Sequence, residues 1–212
     1  MEKIIIYFSL GLLFIFNGCK EDSESLKSDF FPPISDESVQ LIQETIKEAT
    51  MELKEKAWTG ETFNQQQQEV IISKYFGNDY LGNFQLKSFG FDELKLTERQ
   101  KVVYDELLNM IGNKQFNVED AISLIEGLSY EEKEVFYYSI YAFNSIIKGF
   151  LDAGVLNEDI NLKSASTSTF ICNLTTGGVG SIYGAWAGAL LGGPAGIGVA
   201  LITSALLSTL VC

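Results

Sequence analysis

A side-chain nucleophile needs a base beside it, and this chain contains no histidine. Ser/His/Asp and Cys/His pairs are therefore excluded, as is any zinc site that uses histidine. The three cysteines, Cys19, Cys172 and Cys212, are too scattered to supply a thiolate site, so neither metal nor cofactor is expected. Carboxylates remain. Glu131, Glu132 and Glu134 stand close together, but in the first turns of an expected helix, where acidic side chains complement the macrodipole. Asp79, Asp152, Glu158 and Asp159 do not make the D-x-D-x-D-G loop of a calcium hand, and no phosphate loop or G-x-S-x-G elbow is present. Tyr137, Tyr138 and Tyr141 read as core or interface residues. A carboxylate-dependent hydrolase is the one enzymatic reading left, and the expectation is no enzyme.

Charge divides the chain more sharply than any motif. Its 15 Lys+Arg and 28 Asp+Glu give a net charge of -13. Apart from Glu2 and Lys3, every charged residue lies within 20–163, and Ser164 to Cys212 carries none. An acidic body with one arginine, Arg99, argues against nucleic acid as a partner.

Residues 4–16 form an apolar run behind Lys3. It is shorter than the roughly 20 residues a helix needs to span a bilayer, and it fits the core of a signal peptide. The run ends in Phe16-Asn17-Gly18-Cys19, which resembles the lipobox of bacterial lipoproteins, with Phe16 where that motif prefers an aliphatic. The resemblance implies cleavage before Cys19 and acylation of its thiol and amine; a plain signal peptide with an incidental cysteine is the alternative. Two or three acyl chains make anchoring stable. The cluster Lys20-Glu21-Asp22-Ser23-Glu24 looks like the surface-export signal of Bacteroidota lipoproteins, and equally reads as a solvated tether. Either way the chain is expected in the cell envelope, lipid-anchored at the outer membrane and open to surface exposure.

The acidic body carries helical periodicity. Val39, Ile42, Ile46, Ala49, Leu53 and Ala57 make an amphipathic stripe behind a cap at Ser35 or Asp36, ending near Trp58. A second helix is expected over 62–76 with Val70, Ile71 and Tyr75 inward, followed by an aromatic-bearing loop over 77–94. Thr97 with Gln100 and Ser129 with Glu132 form capping boxes, and Asn117 caps a short helix ending at Gly127. Gly112 is expected as the residue just past the helix that Thr97 opens, and Gly149 or Gly154 at the end of the one Ser129 opens. The expected core runs through Val102, Val103, Leu107, Leu108, Ile111, Ile122, Leu124, Ile125, Val135, Phe136, Ile140, Phe143 and Ile146.

In the uncharged tail, Gly180, Gly184, Gly188, Gly192 and Gly196 fall at four-residue intervals, continued by Ala200, Ser204 and Ser208. That spacing keeps the small residues on nearly one helix face, where a second helix can approach at backbone distance. Gly192-Gly193-Pro194 interrupts it, so two helices are expected, about 177–191 and 195–211, folded as an antiparallel hairpin. The hairpin places Cys172 and Cys212 together at its open end. In an oxidising compartment a disulfide between them is expected, stabilising by about 4 kcal/mol. Two locations are open for the hairpin: a bilayer, which it spans only marginally, or the interior of the body.

Residues 172–212 resemble the glycine-zipper segments of small bacteriocins and the hydrophobic hairpin of pore-forming colicins. The resemblance implies insertion into a lipid bilayer, with self-association through the glycine face. The expected class is all-α, a small acidic helical bundle followed by a glycine-rich hydrophobic hairpin. The expected division is signal peptide 1–18, lipidated cysteine and tether 19–34, helical domain 35–160, linker 161–175 and hairpin 176–212. The expected function is that of a lipid-anchored envelope protein whose hairpin meets a membrane; a bacteriocin-like effector that permeabilises target cells is the alternative.

Overall fold

Ser35 opens the first helix by accepting a hydrogen bond at its hydroxyl from the Ser38 amide, 3.1 Å away. The computed structural model describes residues 31–32, 34–58, 65–77, 95–156, 179–192 and 196–211, some of them by backbone alone. Among these the chain is all-α, with seven helices: α1 (Asp36–Trp58), α2 (Gln65–Phe76), α3 (Glu98–Gly112), α4 (Val118–Leu124), α5 (Tyr130–Asp152), α6 (Val179–Gly192) and α7 (Gly196–Val211). The expected loop over 77–94 falls outside the described residues except for Gly77, which takes a φ of +85° directly after α2.

Local chemistry sets the helix starts. Thr97 and Gln100 exchange backbone-to-side-chain hydrogen bonds of 3.2 and 3.0 Å, closing a capping box on α3. Ser129 and Glu132 do the same for α5 at 3.4 and 3.0 Å. Asn117 accepts from the Asp120 amide at 2.8 Å and starts α4. Glu132 also accepts a 2.7 Å hydrogen bond from the Thr97 hydroxyl, which ties the first turns of α3 and α5 together. The Thr97 hydroxyl and the Ser129 amide hold the Glu132 carboxyl below the ordinary carboxylate value. Its contribution to stability is therefore present above the carboxylate range and lost as pH falls through the lowered value. Glu132→Gln keeps the capping geometry and removes the charge. The wild type is expected to melt above this variant at neutral pH, with the gap closing in acid; a gap of constant size across the pH range would contradict this.

Helix ends differ in detail from the expectation. Gly112 is the last residue of α3 rather than the residue beyond it, and Lys114 takes the left-handed conformation, at φ 60°. The Gln115 amide then reaches back to the Met110 carbonyl at 2.8 Å, so the chain turns without needing glycine. α4 stops at Leu124, short of Gly127. α5 runs through Gly149 to Asp152, and Gly154, at φ +67°, follows it.

α5 lies at the centre. Phe136, Ile140, Phe143, Ile146, Ile147 and Phe150 are buried along it, and α1 packs on it through Ile42, Ile46, Ala49 and Leu53. Gly149 permits that approach: a Cβ there would stand 2.8 Å from Ile46 and 2.9 Å from the Gln43 carbonyl oxygen. Two expected core positions are corrected. Val70 and Val102 are exposed, at 61% and 63%. Each adjoins a residue that takes the inward place, Ile71 with Ile72 in α2 and Val103 in α3. A run of neighbouring β-branched residues spans more of the helix circumference than one contact stripe can cover. Tyr75 is half-buried, its hydroxyl donating to Glu52 at 2.9 Å.

The uncharged helices join this same core. Ile182, Tyr183, Trp186, Ala187 and Leu191 of α6, and Val199, Ile202, Leu206 and Leu207 of α7, are buried in one cluster with α5 and α1. Both pack against α5; α7 also meets α3, and α6 meets α1. The expected linker 161–175 lies outside the described residues, and the helices on either side of it share one interior.

Candidate functional site

α6 and α7 contain no charged residue, and they pack on one another, with a close approach at Gly184 of the small-residue stripe. A Cβ on Gly184 would stand 3.0 Å from the Ala200 carbonyl oxygen and 3.0 Å from the Ser204 hydroxyl. The four-residue register therefore brings Gly184, Ala200 and Ser204 together. Gly188 and Ala200 are buried, and Ser204 and Ser208 are half-buried. The Ser208 hydroxyl donates to the Ser204 carbonyl at 3.0 Å. Of Gly180, Gly192 and Gly196 the backbone alone is described, in helix. At Gly184 the small-residue face is occupied within the chain by α7.

At about 1.5 Å per residue, α6 with its 14 residues and α7 with its 16 reach about 21 and 24 Å. Among the described residues, no helix is long and apolar enough to cross a membrane. The interior of the body, one of the two locations open from sequence, is where these helices lie in this structure.

An aromatic cluster holds α6. Phe76 at the end of α2 sits 5.1 Å from the Tyr183 ring and meets Trp186 edge-on at 5.0 Å. Phe150 of α5 lies 6.1 Å from Tyr183 on another side. Aromatic pairs at these separations add to what burial alone contributes. Gly198 provides a second close approach, since a Cβ there would stand 2.9 Å from Val135 of α5. Sequence reasoning did not single out Phe76, Phe150 or Tyr183 for this role. Their spacing marks them only as apolar residues in or near helices, and their meeting depends on how the helices cross.

Ser139 of α5 gives its hydroxyl to Val135 in its own helix at 2.7 Å and reaches the Val199 carbonyl of α7 only at 3.5 Å. The hydroxyls of Thr50, Tyr183 and Thr203 are buried with no hydrogen-bond partner. Thr50 and Tyr183 are neighbours across the α1–α6 contact, but their hydroxyls do not meet with hydrogen-bond geometry. Near the C-terminal end of α6, Leu190 is exposed at 38%.

The remaining candidates separate from this region. Glu131 and Glu132 lie in the first turn of α5, and Glu132 serves as a cap. Tyr137 lies tilted 5.0 Å from Tyr141 and meets Tyr138 edge-on at 5.4 Å, and burial pushes its phenol up to about 12. No group of three His, Cys, Asp or Glu side chains comes together among the described residues. Cys19, Cys172 and Cys212, and with them the lipidation site and the disulfide, lie outside the described residues. Comparison with known protein families, with curated proteins and with solved structures finds no match for the chain.

Proposed function

We propose that this is a non-enzymatic, lipid-anchored protein of the bacterial outer membrane, whose uncharged α6–α7 pair associates with a lipid bilayer. The observation that carries the reading is the absence of any charge from Ser164 to Cys212, in a chain that is strongly acidic before it. Helices apolar on every side belong in a core or in a membrane, and here their described side chains share a core with α1, α2, α3 and α5. The acyl chains on Cys19 hold the acidic body in water beside the bilayer, and Leu190 is a large apolar side chain of α6 that is exposed. Spanning is unnecessary for this: the pair can lie along the interface once its body-facing side is released.

The test uses a Cys19→Ala chain secreted through a cleavable signal, so that acylation cannot hold it. Alkaline carbonate extraction of the envelope fraction is expected to leave this protein in the membrane pellet. Complete release would overturn the reading. The effector alternative draws on the glycine repeat, and dye release from phosphatidylcholine vesicles by the same protein would favour it.

A further inference from the structure

We propose that the buried hydroxyls of Thr50, Tyr183 and Thr203 are a release device, which leaves the docking of α6 and α7 weaker than their apolar contacts alone would make it. All three side chains are fully buried; the Thr203 hydroxyl has no partner, and those of Thr50 and Tyr183 lie side by side without hydrogen-bond geometry between them. Two stand on the uncharged helices, and the third lies beside the Tyr183 phenol. Four hydroxyls of α5 and α7 are satisfied within their own helices. Ser139, Ser145, Ser208 and Thr209 each donate to the carbonyl four residues back, at 2.7 to 3.1 Å. The equivalent acceptor for Thr203 is the Val199 carbonyl, which Ser139 approaches from α5. Orphaned hydroxyls are thus concentrated where the uncharged helices dock.

A buried hydroxyl without a partner loses its water and gains nothing in exchange. When the seam opens, water or lipid headgroups can solvate all three. The penalty falls on the closed state alone and shifts the equilibrium towards exposure of α6 and α7. The ligand class for the open state is a lipid surface, and in this respect the inference rests on the bilayer reading above.

The test removes each hydroxyl at nearly constant shape, with Thr50→Val, Tyr183→Phe and Thr203→Val in the full mature chain, singly and together. In water without lipid, each change is expected to raise the melting temperature by about 2–4 °C. The triple variant is expected to slow amide exchange across 179–192 and 196–211 by roughly tenfold or more, with much smaller effects in α3 and α4. The triple variant is also expected to bind phosphatidylcholine vesicles more slowly than wild type. Unchanged or lowered melting temperatures, or exchange slowed equally everywhere, would overturn the release device whatever the vesicles show. If the variants behave as expected in water but the wild type ignores vesicles, the device stands and the bilayer reading fails.

Discussion

Phe150→Ala is expected to lower the stability of the fold by about 3–5 kcal/mol. The ring is fully buried, lies in the central helix, and is 6.1 Å from Tyr183. Removing it costs the transfer energy of the ring and leaves a cavity that packed helices only partly fill. Because a fold of this kind is stable by roughly 5–15 kcal/mol, the loss is a large share of the total. The location of the damage matters as much as its size. Phe150 supports Tyr183 from α5, while Phe76 supports it from α2, so the cavity opens on the uncharged helices. Urea denaturation should show the reduced midpoint, and amide exchange should quicken across 179–192 more than in α4. A loss below about 1 kcal/mol, the scale of an average substitution, would mean that Phe150 does not hold α6 in place.

Gly184→Val should be the next largest, at about 1–3 kcal/mol or more. The atom a Cβ would crowd is a backbone carbonyl oxygen, Ala200 O, at 3.0 Å. A carbonyl in a helix cannot turn aside without breaking its own hydrogen bond, so α7 as a whole must move. Exchanging glycine for valine recovers only a few tenths of a kcal/mol in helix propensity, too little to offset the displacement. Gly112→Ala is the matched control, because a Cβ there meets nothing within 4 Å. It should be neutral, or stabilise by up to about 1 kcal/mol. Equal effects at the two glycines would show that the α6–α7 contact depends on apolar burial and not on close approach.

Much of the fold was legible because its signals are local. A capping box needs residues three apart, and both Thr97–Gln100 and Ser129–Glu132 form as their spacing implies. The stripe Ile42, Ile46, Ala49, Leu53 is buried as its periodicity requires. Legibility fails where neighbours compete for one inward place. Val70 and Val102 are as apolar as the residues beside them, and only the position of the packing helix decides which is covered. The end of α3 was misplaced for a related reason: a glycine was available, but Lys114 took the left-handed position.

By itself, the sequence determined the helices, their caps, and the separation of an acidic chain from an uncharged tail. It also determined that Gly184 could lie against Ala200 and Ser204, because four-residue spacing stacks small residues on one face. Only the tertiary structure shows what α6 and α7 pack against within the chain. A helix apolar on every side satisfies a bilayer and a protein interior equally well, so its own residues cannot distinguish the two. The decision rests with α5, whose aromatic and aliphatic face is broad enough to receive α1 on one side and α6 and α7 on others. The orphaned hydroxyls of Thr50, Tyr183 and Thr203 likewise exist only as a consequence of packing, since any of them would be satisfied by water in an exposed helix.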